Sequence, residues 1–198
     1  MRDADRRRLV DALAFALDAH GDQTRKGTEI PYASHLLAVA GLVLEAGGDA
    51  AQAAAALLHD TLEDGEEVTA EQLRREFGAD VAEIVVACSD LLPDDTRERK
   101  SRWSDRKRRY LAQLASAAPR VRLVAACDKL HNLRTLIADL RDHGPGTLAR
   151  FTASPEQTRW YYESAHAALR DAVPPAIRGE FDDLIEALRG FVPRAEAP

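Results

Sequence analysis

Only two of the 198 residues are cysteine, one is methionine, and aromatic residues make up 6%. Cys88 and Cys127 lie far apart and show no paired spacing, which removes a disulfide framework and a thiolate-rich metal site. Both read as small core residues of a chain kept in a reducing compartment, the cytoplasm. No run approaches the roughly 18 apolar residues of a membrane span. The opening MRDADRRRLVDALAFALDAH puts basic residues before an apolar stretch, but Asp11 and Asp18 interrupt it and no small-residue cleavage site follows. It reads as an amphipathic helix. An excess of positive charge is also missing: Lys and Arg number 27 against 33 Asp and Glu, and the net charge of −6 argues against broad nucleic-acid binding. There is no internal repeat and no low-complexity segment.

What is present is a helix-forming composition, 45% hydrophobic and 30% charged, dominated by Ala, Leu, Arg, Glu and Asp. The expectation is a soluble, all-α, single-domain helical bundle of residues 1–192, with a functional core at about 13–171 and a disordered tail at 193–198. The first helix is predicted at about 3–20 with Asp3 as N-cap, followed by the loop GDQTRKGTEIPYAS. Ser34 is the expected cap of a second helix ending at Gly47-Gly48. Asp49 is the expected cap of a third, running to Asp64-Gly65. Thr69 to Gln72 fits a capping box for a short helix ending before Gly78, and VAEIVVACSDLL continues as another until LLPDD breaks the pattern. Further helices are predicted over 99–117, from Pro119 towards Asp142, over 157–171, and over 176–191 after Pro174-Pro175.

Two stretches carry more chemistry than a helix needs. In AALLHDTLED, His59, Asp60, Glu63 and Asp64 recur at helical neighbour spacing within a run of Ala and Leu, so they form one polar stripe. Grouped ionisable side chains are costly to bury unless paired, hydrogen-bonded or bound to a cation. In AACDKLHNLRTL, Asp128, Asn132 and Thr135 share a second helix face, with Leu130, Leu133 and Leu136 left for the core and His131 and Arg134 towards the flank. One histidine from the second helix, His35, with His59, Asp60 and Asp128, makes a mixed nitrogen and oxygen donor set. That set suits Mn²⁺, Fe²⁺ or Zn²⁺ and leaves room for water and substrate. Taken one at a time, each residue is equally well a cap, an ion-pair partner or a core group.

The ordered His35, His59-Asp60 and Asp128 pattern resembles the HD phosphohydrolase superfamily, helical domains that carry one or two divalent metals. Three longer segments, QTRKGTEIPYASH, ALLHDTLED and DKLHNLRTL, are similar to the alarmone hydrolases within it: the hydrolase domains of RelA/SpoT proteins and the stand-alone small alarmone hydrolases, the metazoan type included. The likeness runs over residues 13–136, with weaker agreement at 160–162. It implies Mn²⁺ held by His35, His59, Asp60 and Asp128, with Glu63 and Asp64 orienting or activating the attacking water. It also implies Arg25 and Lys26 around the base, Asn132 and Thr135 near ribose and phosphates, and Tyr161, or Tyr162 in its place, holding the nucleotide.

The basic run RERKSRWSDRKRRY precedes the Asp128 helix as a basic segment does in that family. A solvated face with ion pairs within the helix explains most of it. Arg106 and Lys107 are its phosphate-binding candidates. Leu36 after the histidine, GTEI before Pro31-Tyr32, and Ala126-Cys127 before Asp128 depart from the family pattern and bear on base selectivity. The expected activity is removal of the 3′-diphosphate of guanosine tetra- or pentaphosphate. The alternatives are an adenosine alarmone, the 2′-phosphate of NADPH or another nucleotide as substrate, or a protein that binds metal and nucleotide without turnover.

Overall fold

The computed structural model describes residues 1–65, 68–91 and 101–193. Among them are ten α-helices: α1 (Asp3–His20), α2 (Ala33–Glu45), α3 (Ala50–Leu58), α4 (Thr61–Asp64), α5 (Ala70–Phe77), α6 (Ala79–Cys88), α7 (Trp103–Ser116), α8 (Pro119–His143), α9 (Pro155–Leu169) and α10 (Pro175–Phe191). Short 3₁₀ turns occupy Pro145–Arg150 and Arg170–Ala172. No strand forms among the described residues; the nearest approach is an isolated antiparallel bridge between Thr24 and Pro31. No helix is long and apolar enough to cross a membrane among these residues.

Two helices organise the core. The sequence of α3 is apolar on every face, as befits a helix surrounded by others, and Ala51 to Leu58 are all buried where α1, α2, α6 and α8 pack around it. Its alanines allow those backbones to approach closely. The 25-residue α8 runs through the molecule and packs against α2, α3, α6, α7, α9 and α10. Metal and substrate candidates on α2, between α3 and α4, and on α8 are thereby brought to one place from distant parts of the chain.

Local chemistry sets several boundaries as the sequence suggests. Asp49 accepts from the Gln52 amide at 2.8 Å and Gln52 returns the bond to the Asp49 amide at 3.0 Å, a reciprocal cap that fixes the start of α3. Thr69 caps α5 through the Gln72 amide, and Gly47 takes the left-handed conformation, with φ of 84°, after α2.

Elsewhere the structure differs. Asp3 is the first residue inside α1 rather than its cap; Arg2 precedes it and Asp5 receives the Arg2 amide. The second helix starts at Ala33, not after Ser34, because Pro31 and Tyr32 already turn the chain and the Tyr32 carbonyl accepts from His35. The expected helix over 50–64 is interrupted at His59-Asp60. There the His59 ring occupies the Ala56 carbonyl at 2.8 Å and the Thr61 hydroxyl occupies that of Leu58 at 2.7 Å, so side chains take acceptors that a continuing helix would use. The helix expected over 99–117 begins at Trp103, with 99 and 100 outside the described residues, as are 92–95 of the LLPDD break and 194–198 of the expected tail. Ser154, in a reciprocal cap with Gln157, starts α9 earlier than expected, at Pro155.

Candidate metal and nucleotide site

His35 on α2, His59 after α3 and Asp128 on α8 are buried and present ligand atoms that all lie within 4.8 Å of one another. His35 Nε2 is 3.2 Å from His59 Nε2 and 3.3 Å from Asp128 Oδ1, while His59 Nε2 is 3.5 Å from that oxygen. Ligands sharing an ion at 2.0–2.2 Å stand about 3.0–3.5 Å apart, so these separations suit one cation. Asp60 stands at the edge of the cluster, with Oδ2 3.1 Å from His59 Nε2 and 3.6 Å from His35 Nε2. The same oxygen accepts from the Tyr32 hydroxyl.

The outer ring nitrogens orient the donors. The His59 Nδ1–H donates to the Ala56 carbonyl, which aims Nε2 at the cluster, and His35 Nδ1 lies 2.8 Å from His131 Nδ1. His131 therefore points inward and is 9% exposed, against the flanking position expected for it. Lys129 and Asn132 hold the Asp128 carboxylate, Lys129 through Oδ2 and Asn132 through Oδ1.

Charge in this cluster is unevenly shared. Burial holds the His35 pKa down. For His59 burial works against the charged form, but Asp60 and Asp128 outweigh it and hold the pKa well above its ordinary value. Burial opposes the Asp128 carboxylate too, yet Lys129 and the His59 imidazole keep its pKa well below the usual range. Burial, aided by His35, pushes His131 down to about 4. Two carboxylates thus demand positive charge beside facing imidazole nitrogens, a demand that a proton on His59 meets in part and a divalent cation meets fully. The donor set fits such an ion.

Two adjoining clefts, of about 750 and 310 Å³, open beside the cluster, the larger meeting it through Tyr32, His131 and Asn132, which bond to Asp60, His35 and Asp128. The larger is lined by Arg25, Lys26, Tyr32, His131, Asn132 and Thr135, among others. The smaller includes Glu63, Asp90, Arg106, Lys107 and Tyr161. Lys26, Asp64, Phe151 and Tyr162 border both. The 21–32 loop is held by the Arg25 amide on the Ile30 carbonyl and the Tyr32 amide on that of Gln23, with Gly27 at φ 74° in the turn between them. The Arg25 guanidinium then donates to the side-chain Oδ1 of Asn132 at 2.6 Å and lies 5.5 Å over the Tyr32 ring. Lys26 lies 5.8 Å over the Phe151 ring.

Glu63 accepts from the Asp90 amide at 2.8 Å, and burial, reinforced by Asp90 and Asp60, raises its pKa to about 7. Arg106 and Lys107 both reach the smaller cleft, but each is paired to the buried Asp90, at 2.8 and 2.5 Å. Tyr161 is 7% exposed and packs on Trp103 at 6.0 Å, so Tyr162, on both clefts, has the wider access to a ligand. Sequence alone points to no role for Tyr32, Asp90 or Phe151, and places His131 only on the helix flank. The one signal for Asp90 was a carboxylate directly after an apolar helix, and for Tyr32 only its place beside Pro31.

The HD domain model matches residues 12–154. A probable guanosine-3′,5′-bis(diphosphate) 3′-pyrophosphohydrolase of Synechocystis is 39% identical over 130 residues, covering 66% of this chain and 17% of that protein. The guanosine-3′,5′-bis(diphosphate) 3′-pyrophosphohydrolase MESH1 of Xenopus tropicalis is 38% identical over 131 residues, covering 65% of this chain and 69% of the relative. The chain thus spans less than a fifth of the cyanobacterial relative and about two thirds of the frog one. Among solved structures, a metazoan ortholog of SpoT, described as hydrolysing ppGpp and acting in starvation responses, superimposes with a TM-score of 0.69 at 26% identity, over 90% of this chain and 94% of that one.

Proposed function

The chain belongs to the HD-domain family, and on that premise we propose that it is a metal-dependent hydrolase removing the 3′-diphosphate of guanosine tetra- or pentaphosphate to give GDP or GTP and pyrophosphate. Residues 1–192 act as a single hydrolase unit in this reading. The observation that carries it is the convergence of two imidazole nitrogens and two carboxylates next to clefts lined by Arg25, Lys26, Asn132 and Glu63. The activity named for the Xenopus and Synechocystis relatives supports the substrate.

His35, His59, Asp60 and Asp128 would hold the ion, Mn²⁺ in this reading. When bound it supplies a Lewis acid for the phosphate and for the attacking water. Glu63 takes the proton from that water: a carboxylate with its pKa near 7 is a competent base at neutral pH. Asp64 at the border of both clefts aligns the water. Arg25 and Lys26 flank the base, Asn132 and Thr135 the ribose and phosphates, and Tyr162 or Tyr161 closes on the nucleotide. Arg106 and Lys107 balance phosphate charge. The two free cysteines, Cys88 and Cys127, are buried thiols, in keeping with a cytoplasmic setting.

The test is a substrate comparison with Mn²⁺ present: guanosine tetraphosphate, its adenosine counterpart and NADPH, each with a chelated control. Chelator-sensitive release of pyrophosphate, fastest from the guanosine compound, is the expected result. Preference for the adenosine compound or release of orthophosphate from NADPH moves the substrate and keeps the metal chemistry; no turnover of any of the three overturns the reading.

A further inference from the structure

We propose that Asp90 is the positioning residue of a phosphate subsite: a single buried carboxylate at the end of α6 holds Arg106 and Lys107 of α7 as a preformed cation pair in the smaller cleft. The inference rests on the reading of that cleft as part of a site for a phosphorylated nucleotide.

Asp90 is 5% exposed, and both its carboxylate oxygens and its main-chain N–H bond to residues of the cleft wall. Its Oδ1 receives Arg106 at 2.8 Å, its Oδ2 receives Lys107 at 2.5 Å, and its main-chain N–H donates to Glu63 at 2.8 Å. The main chain thus ties the proposed base on α4 to the same residue whose side chain ties two cations on α7. Arg106 is further fixed by its Nε on the Ser101 carbonyl at 3.2 Å, and the Lys107 ammonium lies 5.0 Å over the Tyr161 ring. Two flexible cationic side chains, each with several rotatable bonds, would lose that freedom on binding a phosphate. Here the loss is taken at folding. One carboxylate against two cations still leaves a net positive charge among the three groups, and all three line the compartment next to Glu63 and Asp64.

The sign of the effect separates positioning from bulk electrostatics. If Asp90 acted only as a negative charge near the phosphates, Asp90→Asn would tighten anion binding. If it positions the cations, the same isosteric change releases Lys107 and Arg106 and weakens binding. The experiment measures kcat and KM for guanosine tetraphosphate, and separately the binding of inorganic pyrophosphate by calorimetry to the metal-loaded protein, for wild type, Asp90→Asn, Lys107→Gln and the double variant. Asp90→Asn is expected to raise KM and the pyrophosphate Kd about tenfold with kcat within about threefold of wild type. Added to Lys107→Gln it should do little more, because the two act through one contact. Asp90→Glu, which keeps the charge, should recover part of the loss should the amide variant fold poorly. An unchanged or lowered Kd, or additive effects in the double variant, overturns the proposal. Absence of turnover in the wild type would fall on the proposed reaction instead, and the pyrophosphate titrations would still decide the role of Asp90.

Discussion

At the scale of single residues, two acids, Asp128 and Glu63, are asked to do different things. Asp128 directs one oxygen at the imidazoles and gives the other to Lys129, so its carboxylate is a ligand held in place. Asp128→Ala should abolish divalent-metal binding and turnover together, read by calorimetry and by pyrophosphate release. Glu63 touches the Asp90 amide rather than the imidazole cluster. Glu63→Gln should keep the metal and lose about 10²–10⁴-fold in kcat, the range for a removed general base; equal loss of metal would remove it from that role. Its pKa near 7 adds a pH signature. The base form is the deprotonated one, so kcat/KM should climb about tenfold per pH unit on the acid side and level off above that value. A bound divalent ion favours the carboxylate and moves this limb to lower pH, never higher. The residue identities of the proposed ligands were legible from the chain because donor type and spacing are sequence properties. Asp90, Tyr32 and His131 were not, because their roles arise from contacts between elements 27, 28 and 96 residues apart.

Elements were legible where a local cap or a left-handed glycine decides the boundary, as at Asp49, Thr69 and Gly47. They were misread where side chains compete with the helix for backbone acceptors. The His59-Asp60 break is such a case: periodicity sees one helix over 50–64, whereas the His59 ring and Thr61 hydroxyl divide it into α3 and α4. That break turns Asp60 towards Tyr32 and carries Glu63 to the smaller cleft. The helix before it is packed on all sides. Ala53, Ala54, Ala55 and Ala56 are each 0% exposed, so no face of α3 has space for a larger side chain. Ala55→Leu should cost about 1–3 kcal/mol by overpacking, measured by denaturant unfolding. Removing the cap with Asp49→Ala should cost about 1 kcal/mol.

For the whole molecule, the consequence of placing the cluster among α2, α3 and α8 is that metal binding and folding are linked. Helices from separate parts of the chain meet where His35, His59 and Asp128 are buried together, and a cation would satisfy all three. Divalent metal at 100 times its Kd should therefore add about 2.7 kcal/mol to stability, a rise of roughly 5–10 °C in Tm for a chain of this size. Asp128→Ala should show no such rise. The all-helical class was readable from composition alone, and the likeness to HD hydrolases from three short segments; the joining of two clefts beside one cluster needed the fold.

One measurement bears on metal-dependent removal of the 3′-diphosphate before any other. Chelated and desalted protein is titrated with Mn²⁺ in the presence of guanosine tetraphosphate, samples are quenched with excess chelator, and the nucleotide, pyrophosphate and orthophosphate formed are separated and quantified. Turnover that is absent at the start, returns saturably with metal, and yields GDP and pyrophosphate in equal amounts is the expected result. Turnover before metal is added, or release of orthophosphate in place of pyrophosphate, contradicts it.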